Sequence, residues 1–131
     1  MKNKGLFLCL AAAAMLLFGG CGEEPVDTSY TDSSIVIDSF TEIAGENPDD
    51  IEETDDAYCY VYEIKDGKVG AAAYNLYKDY LDANFTYSPL DSTMVGDGFC
   101  AVYYSANDAR IEYTEAVDKH GSYRITVSVP K

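Results

Sequence analysis

The chain has 131 residues, 23 acidic against 9 basic, with a formal net charge of −14 at pH 7. Neutralising phosphates takes clustered cations, so no nucleic-acid partner is expected. The length allows one small domain, and a lone histidine with four cysteines leaves few side chains for metal or nucleophilic chemistry.

The first predicted element is a leader. Lys2 and Lys4 precede an unbroken apolar run from Leu6 to Phe18, followed by Gly19, Gly20 and Cys21. Lysines hold the start of such a segment on the cytoplasmic side while the apolar run enters the bilayer. As a helix the run spans about 20 Å, short of the ~30 Å hydrocarbon core, which argues against a permanent span. The small residues before Cys21 leave an accessible backbone for a peptidase.

Phe18-Gly19-Gly20-Cys21 resembles the lipobox that closes a bacterial lipoprotein signal peptide, with Phe18 where that family usually has leucine. The resemblance covers residues 1–21 and implies a diacylated Cys21 as the first mature residue. It implies attachment to a cell membrane or envelope on the extracytoplasmic side, since two or three acyl chains hold stably. Two other readings compete: a secretory signal cut near Ala11–Ala14 or after Gly20, and a short uncleaved anchor.

Removing residues 1–20 takes two lysines and no acid, leaving 7 basic and 23 acidic residues, net −16. Residues 22–56 hold 13 of those acids and no base, with Pro25 and Pro48, and read as a largely disordered tether over 21–56. Repulsion among its carboxylates would extend it away from the lipid. One island interrupts it, Ile35-Val36-Ile37 through Phe40 and Ile43. The island fits a short strand, or a short helix with Ser39 and Glu42 as a capping box and Gly45 beyond its end.

Residues 57–131 read as the folded unit, small enough to be marginal without help. Tyr58–Ile64 has the composition of a strand, Asp66-Gly67 of a turn, and Val69–Asn84 of a helix. Val69, Ala73, Leu76, Tyr77, Tyr80 and Leu81 mark the helix's inner side; Asn75, Lys78, Asp79 and Asp82 mark its outer side. A loop with Pro89, Gly96 and Gly98 leads to strands at Phe99–Tyr104, Ala109–Val117 and Tyr123–Val129, joined by turns. The last two alternate cleanly, with Ile111, Tyr113, Tyr123, Ile125, Val127 and Val129 on one face. The fold class is therefore α+β: a β-α-β-β-β order with one helix across a four-stranded antiparallel sheet. This order resembles the cystatin-like topology in element sequence alone. The chain has no glutamine and no tryptophan, so the inhibitory motifs of true cystatins are unmatched and protease inhibition does not carry over.

Cys9 leaves with the leader and Cys21 takes the acyl chains, so Cys59 and Cys100 remain, on strands expected side by side. In an oxidising compartment they are a disulfide candidate, and closing about 41 residues is worth ~4 kcal/mol on the chain-entropy model. The alternative is two buried free thiols. A bridge would place Val61, Val102 and Tyr104 with the sulfurs against the helix. Tyr58, Tyr60, Tyr62, Phe99 and Tyr103 would then form an exposed aromatic binding face. In the opposite register the same tyrosines are core.

The sequence names no catalytic residue, metal ligand or cofactor. His120 falls in a turn, Lys119-His120-Gly121-Ser122, and reads as a solvated residue. Asp49–Asp56 is rich in oxygen ligands but lacks EF-hand spacing, and Asn84-Phe85-Thr86 matches a glycosylation pattern without the context that would give it meaning. The expected function is that of a membrane-anchored, non-catalytic binding domain for a protein, peptide or glycan. The alternatives are an enzyme or enzyme accessory using surface carboxylates, and a purely structural component of an envelope complex.

Overall fold

A computed structural model of the chain describes residues 29–131; the leader, Cys9 and Cys21 lie outside them. The described part is α+β. Its elements run α1 (Phe40–Ala44), β1 (Asp50–Glu53), β2 (Ala57–Ile64), α2 (Gly67–Asn84), β3 (Thr86–Val95), β4 (Gly98–Tyr104), β5 (Arg110–Val117) and β6 (Tyr123–Pro130). The strands form one antiparallel sheet in the order β1-β2-β6-β5-β4-β3. Six strands, not four, build it.

The helix connection explains the order. α2 leaves β2, crosses the covered face and delivers the chain to β3 at the opposite edge. From there β3 to β6 fold back as a meander, and β6 closes beside β2, pairing all eight residues from Ala57 to Ile64. The sequence-based expectation that the strands carrying Cys59 and Cys100 are neighbours is therefore overturned. Consecutive strands are usually adjacent in space, but here the helix carries the chain past three strands.

α2 is capped by Asp66, whose carboxylate accepts from the Lys68 and Val69 amides at 2.9 and 3.3 Å. Its buried stripe is Gly70, Ala73, Tyr77 and Leu81, at helical spacing. Tyr74 joins that stripe by stacking on Tyr113, with centroids 4.8 Å apart and planes within 4°. Leu76 and Val69, expected on the inner side, instead stay exposed at 52% and 43%. Gly70 sits where a Cβ would lie 2.6 Å from the Tyr123 ring, so the helix start is drawn close onto β6.

The acidic stretch before residue 57 is the second correction. It is no tether from Tyr30 onward. Tyr30, Ile37, Ser39 and Phe40 are buried, and Phe40 packs 4.4 Å from Tyr62 and 5.4 Å from Tyr77 between ring centroids. The island is a helix of five residues with the complete capping box: Ser39 Oγ accepts from the Glu42 amide, and the Ser39 amide donates to Glu42 Oε1. Gly45 ends it at φ +82°, a left-handed position that glycine adopts without strain. Further on, Asp50–Glu53 pairs with Tyr58–Val61 as an edge strand, all four residues exposed.

The third correction is β3, expected as a loop. Thr86–Ser88 pairs with Val102–Tyr104 and Thr93–Val95 with Gly98–Cys100, while residues 89–92 bulge out. Proline is tolerated here because the strand lies at the sheet edge and the bulge falls on Pro89. Ser92 Oγ replaces the lost ladder acceptor, taking the Val102 amide at 2.9 Å, and itself donates to the Ser88 carbonyl.

Candidate interaction surfaces

Alternation along the strands decides what each sheet face can present. The face under α1 and α2 takes Tyr60, Tyr62, Ile64, Ala101, Tyr103, Ile111, Tyr113, Ile125, Val127 and Val129, all buried. Three of the five residues expected to form an exposed aromatic face, Tyr60, Tyr62 and Tyr103, are thus core, and Tyr58 and Phe99 are half-buried against it. A phenol reaches further than a phenyl ring, and the hydroxyls find partners at the rim. Tyr77 Oη donates to the Asp38 carbonyl at 2.7 Å, Tyr113 Oη to the Tyr74 carbonyl at 2.8 Å and Tyr103 Oη to Asp82 Oδ1 at 2.7 Å. Tyr30 and Tyr62 share a hydroxyl contact at 2.5 Å, and Tyr30 Oη also accepts from the Phe40 amide. Burial raises the phenol pKa values of Tyr30, Tyr62, Tyr77, Tyr103 and Tyr113, and pushes Tyr74 up to about 12.

The opposite face has no helix or strand over it among the described residues. Its central row runs Val61, Thr126, Thr114, Cys100 and Thr93 across five strands, five small side chains without a charge, of which Val61 and Cys100 are buried and the threonines reach solvent. The next row is Cys59, Ser128, Glu112, Val102 and Ser88. On β1 these two rows end in the carboxylates of Asp50 and Glu52, and two ion pairs flank the row of threonines, Glu63 with Arg124 at 3.1 Å and Glu112 with Arg110 at 2.9 Å.

Cys59 and Cys100 both stand on this open face, but β6 and β5 separate their strands. Three strand spacings put them roughly 14 Å apart, twice the Cα reach of a disulfide. Both are free thiols, Cys100 buried and Cys59 half-buried. Burial, then Glu52, raises the Cys59 pKa, which keeps it protonated and unreactive at neutral pH.

One end of the sheet holds a shallow cleft of about 400 Å³, where the β2–α2, β3–β4 and β5–β6 turns meet. Ile64, Val117 and Tyr123 give it apolar walls, and Glu63, Lys65, Asp97 and Arg124 give it charge of both signs. Two of the turns are locked together. Ser122 Oγ donates to the Lys65 carbonyl, and Gly67 lies where a Cβ would meet the Gly121 oxygen at 2.8 Å. Asp118 Oδ1 accepts from the Ser122 and His120 amides, and those bonds hold its carboxyl below the usual range. His120 itself is exposed in this turn.

The acidic run Asp49–Asp56 forms the β1 edge and its turn to β2, and among the described residues no group of three or more His, Cys, Asp or Glu is placed to hold a metal ion. Asn84 ends α2, its amide bonded to the Tyr80 carbonyl. No helix of the described residues is long and apolar enough to cross a membrane. No protein family, curated protein or solved structure matches this chain.

Proposed function

We propose that this is a lipid-anchored, extracytoplasmic binding domain, attached through Cys21 and acting without catalysis. The observation that carries the binding reading is the open sheet face. In a described region with 20 acids against 7 bases, its central row presents Thr126, Thr114 and Thr93, none charged, with Val61 and Cys100 buried between and beside them. An uncharged strip of threonines, bordered by two ion pairs and by Asp50 and Glu52 of β1, suits contact with a protein or glycan surface, where desolvating charges costs affinity. The leader from Lys2 to Cys21 supports the anchor.

Two measurements test the two halves. Intact mass of the protein from membranes is expected to show acyl chains on Cys21; a water-soluble product with an unmodified amino terminus sinks the anchor. A photo-crosslinking residue at Thr126 is expected to capture a defined partner in intact cells, while the same probe at Asp79, on the outer side of α2, is not. Equal capture at both positions, or none at Thr126, removes the open face as the contact surface.

A further inference from the structure

The chain between the anchor and the fold is short, little longer than the sheet itself, and it enters the fold at one end. Resting on the lipid-anchor reading, we infer that the domain is held close to the bilayer with one end of its sheet toward the lipid. The cleft-bearing end then faces outward.

The constraint is covalent. Tyr30 is buried, its ring stacked on Tyr60 with centroids 4.2 Å apart and its hydroxyl tied to Tyr62 and the Phe40 amide. It is a fixed point of the fold. Nine residue steps separate it from Cys21. Even fully extended they span at most about 32 Å. A spacer running to residue 56 would have allowed four times the reach, and with it any orientation.

The position of that fixed point supplies the polarity. The Tyr30 carbonyl accepts from the Ser33 amide, Ser33 Oγ donates to the Pro130 carbonyl at 2.7 Å, and the Ser34 amide donates to the same oxygen. The chain therefore joins the sheet at the end where β6 finishes and β2 begins, since Ala57 pairs with Pro130. The β4–β5 turn, with Asn107, lies at this end, as Tyr104 pairs with Arg110. The Lys65, Asp97 and Lys119–Ser122 turns lie at the other. Strands of eight residues separate the two ends by about 27 Å.

Charge agrees with a domain that hovers and does not adhere. The end near the anchor carries Asp32, Asp55, Asp56 and Asp108 against Lys131 and Arg110, whereas at the far end Lys65, Lys68, Lys119 and Arg124 are balanced by Glu63, Asp66, Asp97 and Asp118. An anionic leaflet repels the near end and has no net pull on the balanced far one. The point of attachment thus sets the orientation, and the far end is left to meet a partner.

The test uses the full chain reconstituted in vesicles with acceptor-labelled lipid. A fluorophore is placed on a non-natural side chain at Asn107 or at Lys119, both exposed. Energy transfer to the lipid is expected to be several-fold stronger from 107 than from 119. Equal transfer, or stronger transfer from 119, overturns the orientation when the same sample floats with vesicles and carries acyl mass on Cys21. A sample that neither floats nor carries that mass overturns the anchor and the orientation together.

Discussion

The two faces of the sheet are written by the same strands and have opposite characters. On β2, Tyr60 and Tyr62 go under the helices while Cys59, Val61 and Glu63 stay on the open side. On β6, Ile125, Val127 and Val129 go under and Arg124, Thr126 and Ser128 stay out. The covered face uses large rings with a hydroxyl at the far end; the open face uses side chains of two or three heavy atoms at its centre. Size marks the buried side here more reliably than polarity does, because tyrosine counts as polar by its oxygen and as core by its ring.

That contrast can be broken at several strengths. High pH should do most. The buried phenols titrate above their unfolded value of about 10, so their contribution is intact below pH 10 and is lost as the pH climbs toward the folded values. Ionisation followed at 295 nm is expected to coincide with loss of the circular-dichroism signal; a smooth titration with the fold intact would show the phenols to be open to water.

Phe40→Ala comes next, expected to cost about 3–5 kcal/mol in urea unfolding because it empties the space between Tyr62 and Tyr77. A value below about 1 kcal/mol, within the range of surface changes, would detach the segment before residue 57 from the folding unit. Tyr30→Phe keeps the ring and removes the acceptor of the Phe40 amide, for about 1–3 kcal/mol. Thr126→Val, on the open face, should stay within about 0.5 kcal/mol. A larger loss there would mean that the open face is structurally committed, not free for a partner.

Much of this was legible residue by residue. The capping box Ser39/Glu42, the Asp66-Gly67 start of α2 and the alternation of β5 and β6 are local signals, and local signals survive into the fold. What escaped depends on distant partners. Tyr30 and Phe40 sit in a composition that reads as unfolded, and only the tyrosines of β2 and α2 give them a core to enter. Pro89 marks a break in any strand but an edge strand, and nothing near it says that β3 is an edge. The pairing of Cys59 with Cys100 failed for the same reason, since strand adjacency was inferred from succession along the chain while α2 carries β3 across the sheet. The open face was visible as one of two registers, and its residues became a surface only once the helix had chosen the other.

The union of β2 with β6 has a consequence in time. These strands are joined residue for residue, yet Tyr62 and Ile125 stand 63 positions apart, and the whole stretch between them must be made before they meet. Loop closure over such separations is slow compared with forming a helix or hairpin. A partly emerged chain leaves β2 with only the short β1 beside it, and Tyr30 and Phe40 with an incomplete core. The polypeptide stays pliable until Tyr123–Pro130 arrives, a useful delay for any protein that has to be threaded through a narrow channel before it takes shape.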